Sequence, residues 1–165
     1  MTTVKFQGTD VDLMGNMPKA GDKAPEFELT NSTLEQFTLE SLKGKQVILN
    51  IFPSIDTPVC AESVKQFDSL MEEASDVIVV CVSADLPFAF ARFAELNNIN
   101  NVVSGSTFRG FGFSEDYGVE ISEGVLTGLA ARAVIVIDEK GIVKWSELVQ
   151  DITFFPNFEA AIKAL

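Results

Sequence analysis

Three runs of this chain, Val47 to Phe52, Val77 to Val82 and Ala133 to Ile137, are apolar at nearly every position. Continuous apolar runs of that length predict strands covered on both faces, as in a sheet flanked by helices. Asn50 alone interrupts the first run. After it, Val64, Phe67, Leu70, Met71 and Ala74 recur at steps of three and four, predicting a helix with one buried face. Phe88 to Leu96 predicts a second helix broken at Asn97-Asn98, and Phe158 to Leu165 a closing one. Shorter segments alternate. Val4 to Gln7 and Val11 to Met14 flank Gly8-Thr9-Asp10 as a hairpin, and Ile142 to Trp145 pairs back on Ala133 to Ile137 across Asp138 to Gly141. Phe27 to Thr30 and Gln36 to Thr38, joined by the turn Asn31 to Thr33, read as an N-terminal decoration on the main sheet. Leu39 to Leu42 reads as a helical turn stopped at Gly44. A weak strand at Val102-Val103, a Gly- and Phe-rich stretch from Gly105 to Phe113, and a loop through Gly118, Gly124 and Gly128 fill the remainder.

Strand–helix–strand–helix followed by a strand hairpin and a last helix predicts an α/β sandwich with a mixed central sheet and an N-terminal β-hairpin. Residues 1–165 form one domain in this reading, large enough to bury about 70% of the unfolded chain's surface. The net charge of −12 argues against nonspecific binding to nucleic acid or an anionic membrane. No apolar run approaches the ~20 residues of a membrane helix, and the N-terminus carries no secretory pattern, so the expected location is cytoplasmic. With no histidine, Cys-His and Ser-His chemistry and His-ligated metals are excluded. The two cysteines form neither a CxxC pair nor a zinc-spaced set. Arg109-Gly110-Phe111-Gly112 lacks the spacing of a phosphate-binding loop. No cofactor or metal is expected.

The candidate chemistry lies in Pro53-Ser54-Ile55-Asp56-Thr57-Pro58-Val59-Cys60, between the first buried strand and the first helix. Thr57 suits the N-cap, where its side-chain oxygen can accept from first-turn N–H groups, and Pro58 suits the first helical position. Cys60 then sits in the first turn, where the macrodipole and free N–H groups favour a thiolate over a thiol. The competing reading makes Cys60 a small buried hydrophobe. Arg132, just before the Ala133 strand, reads by itself as a surface charge.

Pro53-x-x-x-Thr57-x-x-Cys60 resembles the active-site motif of the peroxiredoxins, and Asn50 to Thr57 resembles their bacterial thiol peroxidase branch. Ser83 to Ala89, Ser106 to Arg109, and Leu129 to Val134 extend the resemblance along nearly the whole chain. It implies a thioredoxin-like sandwich and a peroxidase acting on hydrogen peroxide and alkyl hydroperoxides. Cys60 would attack the peroxide and become a sulfenic acid. Thr57 and Arg132, onto which the family's active-site arginine falls, would orient the peroxide oxygens, and Pro53 would shape and shield the pocket. An external thiol reductant, thioredoxin or similar, and a homodimer are further implications.

One departure stands out. The branch's resolving cysteine follows an Arg-Phe pair, but here Arg92-Phe93 precedes Ala94. Cys81, inside an apolar run, reads as a core thiol rather than a replacement. A non-catalytic redox sensor on the same fold is the alternative function. A disulfide oxidoreductase is disfavoured by the missing CxxC.

Overall fold

A computed structural model describes residues 1–165. The chain runs β1 (Thr2–Phe6), β2 (Thr9–Met14), β3 (Glu28–Thr30), β4 (Gln36–Thr38), β5 (Gln46–Ile51), α1 (Pro58–Leu70), β6 (Val77–Ser83), α2 (Pro87–Asn97), β7 (Val103–Ser106), α3 (Phe113–Asp116), β8 (Glu120–Ile121), β9 (Ala133–Ile137), β10 (Val143–Leu148) and α4 (Phe158–Lys163). Seven strands form one mixed sheet in the order β10-β9-β5-β6-β7-β3-β4. β5, β6 and β7 are parallel, and the flanking pairs are antiparallel.

The alternation of each central strand divides the core. Val47, Leu49 and Ile51 of β5 face one cluster with Val80, Ile135 and the N-terminal residues Val4, Leu13 and Phe27. Ile48 and Phe52 face a second cluster with Val79, Cys81 and Val134, which α1, α2 and α4 cover through Val64, Phe67, Phe90 and Ala161. Both faces are therefore dry, which is why these strands read as unbroken apolar runs.

Several expectations need correction. α1 ends at Leu70, which is 44% exposed, and Ala74 lies in the following turn; Met71 supplies the last buried contact of that face. β3 and β4 are no decoration, because Thr30 pairs with Ser106 and continues the main sheet beyond β7. The separate element is the β1–β2 hairpin, which forms a three-stranded sheet with β8. β8 is only two residues long, too short to leave a periodic signal. The hairpin turns on Gln7-Gly8 alone, both at positive φ (52° and 81°), the left-handed pair that a two-residue turn requires. β7 extends to Ser106 despite Gly105, where a Cβ would stand 2.8 Å from Leu29 Cδ1. The side chains of Leu29 and Val80 fill the space that a Cβ would take.

Candidate active site

β5 runs into Phe52-Pro53, and the chain turns through Ser54–Asp56 before α1 starts at Pro58. Thr57 occupies the N-cap position with extended backbone, as its sequence context predicts. Its side chain caps no N–H, contrary to expectation. Instead Oγ1 lies 2.7 Å from Cys60 Sγ and 3.1 Å from the Ser54 carbonyl oxygen. A hydroxyl carries one proton, so these are alternatives. Thr57 donates to Sγ when the sulfur is a thiolate. When it is a thiol, S–H donates to Thr57 and the hydroxyl donates to Ser54.

Arg132 arrives from the far side of the chain by strand register. β9 is antiparallel to β5 with Ile51 opposite Ala133, so the residue before β9 meets the residues after β5. The guanidinium is buried, 1% exposed. Nε donates to the Ile152 carbonyl at 2.9 Å, and one Nη donates to Cys60 Sγ at 3.2 Å across 72 residues of sequence. The other Nη has no partner. None of the four ion pairs involves Arg132. The nearby Asp151 carboxylate accepts from Thr153 and Gly8, and these bonds hold it below the usual carboxylate range. A buried cation without a carboxylate is costly unless another anion answers it. The one side-chain atom the guanidinium meets is Cys60 Sγ, in the first turn of α1. The reading of Arg132 as a surface charge is overturned.

Pro53, Thr57 and Arg132 share a cleft of about 280 Å³ with Phe6, Val59 and Leu129. Cys60 itself is buried, 0% exposed, beneath the cleft wall. All four predicted residues are thus gathered at the end of the sheet where β5 stops. Missed from sequence were the Ile152 carbonyl, which aims the guanidinium, and the Phe6 and Leu129 walls. A backbone acceptor leaves no residue signature, and Phe6 comes from the end of β1, far from the motif in sequence, while Leu129 comes from the segment just before Arg132. Also missed was the Asp85 carboxylate, which accepts from Ser54 Oγ at 2.8 Å and from Ile55 N at 2.7 Å.

Cys81 lies in β6 beside Asn50, whose amide donates to its sulfur at 3.8 Å. Burial pushes the Cys81 thiol up to about 12, the Asn50 bond opposing this in part. Both cysteines are free thiols. Ala94 sits half-buried on α2 in the second core cluster. No group of three or more Asp, Glu or Cys side chains is arranged to hold a metal ion.

The redoxin family model matches residues 19–162. The chain is 47% identical over 163 residues to a thiol peroxidase of Vibrio cholerae serotype O1, covering 99% of each. It is 46% identical over 165 residues to a thiol peroxidase of Mycobacterium tuberculosis, covering 100% of this chain and 99% of that one. A peroxiredoxin-like protein from Aquifex aeolicus superposes with a TM-score of 0.93 at 41% identity, over 99% of this chain and 96% of the other.

Proposed function

The chain belongs to the redoxin family as a bacterial thiol peroxidase with a thioredoxin-like fold, and on that premise we propose that Cys60 is its peroxidatic thiol. The protein is an oxidoreductase that reduces peroxides at the expense of a thiol. The observation that carries the residue assignment is the convergence of Thr57 Oγ1 and the Arg132 guanidinium on one sulfur beside an apolar cleft.

Thiolate Sγ attacks the terminal oxygen of a hydroperoxide. An S–O bond forms, the O–O bond breaks, and Cys60 becomes a sulfenic acid while the departing alkoxide or hydroxide takes up a proton from solvent. The unpartnered Arg132 Nη is free to donate to a peroxide oxygen, and the Thr57 hydroxyl can follow the charge as it leaves the sulfur. Pro53 walls the cleft and keeps bulk water from Sγ. Hydrogen peroxide fits, and the apolar lining accepts an alkyl group.

With alanine at position 94 and Cys81 in the core, Cys60 has no internal resolving partner in this reading. An external thiol, from thioredoxin or a similar reductant, condenses with the sulfenic acid to a mixed disulfide and water; a second thiol then releases Cys60. The single domain acts as a cytoplasmic homodimer in this reading. The relatives are named peroxidases, which does not favour a non-catalytic redox sensor.

Single-turnover oxidation with stoichiometric cumene hydroperoxide, followed by intact mass and thiol counting, tests the assignment. We expect one thiol lost as a sulfenic acid, and no such loss in Cys60→Ser. Loss of both thiols as an intramolecular disulfide would overturn the external resolution, and reaction no faster than a free thiol would overturn the role of Cys60.

A further inference from the structure

Thr57 and Cys60 depend on the shape of the Pro53–Thr57 turn, and the turn holds itself only weakly. Its internal bonds are Thr57 N to Ser54 O at 3.2 Å, Asp56 N to Ser54 Oγ at 3.2 Å and, when the hydroxyl turns that way, Thr57 Oγ1 to Ser54 O at 3.1 Å. The Ile55 side chain is buried in the second core cluster, and two polar attachments come from outside. Asp56 and Arg92 of α2 pair at 3.7 Å with both side chains about two-thirds exposed, an ion pair that contributes little. The other attachment is Asp85, just after β6. Its Oδ1 accepts from Ser54 Oγ at 2.8 Å, and its Oδ2 accepts from Ile55 N at 2.7 Å and from the buried Ser83 Oγ at 2.6 Å. The carbonyl of Asp85 accepts in turn from Ser106 Oγ at the end of β7. A carboxylate bonded to a backbone N–H and two hydroxyls makes charge-assisted bonds stronger than neutral ones. Asp85 is therefore a rivet between the rigid ends of β6 and β7 and the turn in front of Cys60.

The consequence follows from the single proton of Thr57. Ser54 is held by Asp85 through its side chain and offers its carbonyl to Thr57 Oγ1 at 3.1 Å, against 2.7 Å to Cys60 Sγ. Where Ser54 sits decides how far Thr57 Oγ1 stands from each acceptor. We propose that Asp85 is a positioning residue for peroxide reduction, fixing Ser54 and Ile55 so that the Thr57 hydroxyl is aimed at the Cys60 sulfur and the attacking oxygen. The proposal builds on the assignment of Thr57 and Cys60 above. Asp85 touches neither peroxide nor sulfur; it acts through Thr57.

A double-mutant cycle on the full chain tests it, reading the second-order rate of Cys60 oxidation by cumene hydroperoxide alongside Cys60 alkylation by iodoacetamide. Asp85→Ala should lower the peroxide rate about tenfold and leave alkylation within about twofold, because alkylation needs no aimed donor. Asp85→Asn keeps an acceptor oxygen for Ile55 and a polar partner for Ser54, and should recover most of the loss. In the Thr57→Val background, Asp85→Ala should add no further loss. Should Asp85→Ala not fold, Ser54→Ala gives the same cycle with an expected loss of about threefold. A wild-type peroxide rate in Asp85→Ala, or losses that multiply with Thr57→Val, would overturn the proposal. So would an equal drop in alkylation, the mark of a merely structural residue. A wild-type rate in Thr57→Val would instead overturn the assignment of Thr57.

Discussion

Cys60 and Cys81 belong to the same apolar cluster and are equally hidden, at 0% and 1% exposure, yet their surroundings are opposite in kind. Around Cys60 a guanidinium, a hydroxyl and a helix N-terminus converge, and an apolar cleft passes alongside. Around Cys81 the one hydrogen-bond donor to the sulfur is the Asn50 amide at 3.8 Å, and Ser104 of β7 pairs with it in the sheet, but no cation meets it. Burial raises Cys81 to about 12, leaving it a neutral thiol across the physiological range. On the proposed assignment, the donors that meet each sulfur, and not its exposure, set the two cysteines apart.

The largest way to break that contrast is Cys60→Ser. Peroxidase turnover should fall to background, a loss of at least ~10³-fold, since the hydroxyl is a far poorer nucleophile than a thiolate. A steady-state assay with excess dithiothreitol and cumene hydroperoxide measures it. Next comes Arg132→Met, which removes the charged donor while keeping bulk. Oxidation of Cys60 should slow by about 10²–10³-fold. Stability, followed by urea unfolding, should change little or rise, because the guanidinium is a buried cation without a carboxylate. A fall of several kcal/mol would show Arg132 to be chiefly structural.

Cys81→Ala sharpens the contrast from the other side. The peroxide rate should stay within about twofold, and unfolding should cost roughly 1–2 kcal/mol for the small cavity left behind. The same variant isolates a pH effect. The folded thiol is raised from 9.0 to about 12, so above pH 9 the unfolded state releases a proton that the folded state keeps. Stability of the wild type should therefore fall relative to Cys81→Ala as pH rises from 9 to 12, approaching about 1.4 kcal/mol per pH unit. Parallel pH profiles for the two proteins would remove the basis for an inert Cys81.

The smallest expected effect lies at Asp151, whose bonds from Thr153 and Gly8 hold its carboxyl low. A depressed carboxylate stabilises the fold above its ordinary range, and that contribution is lost as pH falls below about 4. Asp151→Asn should blunt acid unfolding slightly and leave the neutral-pH rate of Cys60 unchanged.

What could be read from sequence was whatever is local. The apolar runs of β5, β6 and β9, the Pro58 helix start and the place of Cys60 in its first turn depend on neighbours within a few residues. Arg132 was legible only through the resemblance, because its meeting with Cys60 depends on the β5–β9 register. Thr57 shows the limit of a local rule. Its context marks an N-cap correctly, but the nearby sulfur takes the side chain that capping would have used. Asp85 was visible only as part of a motif, since its partners in the turn before Cys60, Ile55 and Ser54, lie 30 and 31 residues away.

The most direct test is site-resolved mass spectrometry of the two cysteines in one molecule after stoichiometric cumene hydroperoxide and rapid quenching. The account predicts oxygen on Cys60 at early times while Cys81 stays a thiol, with the selectivity collapsing in Arg132→Met. Oxidation of Cys81 at a comparable rate, or a Cys60–Cys81 disulfide as the first product, would contradict it.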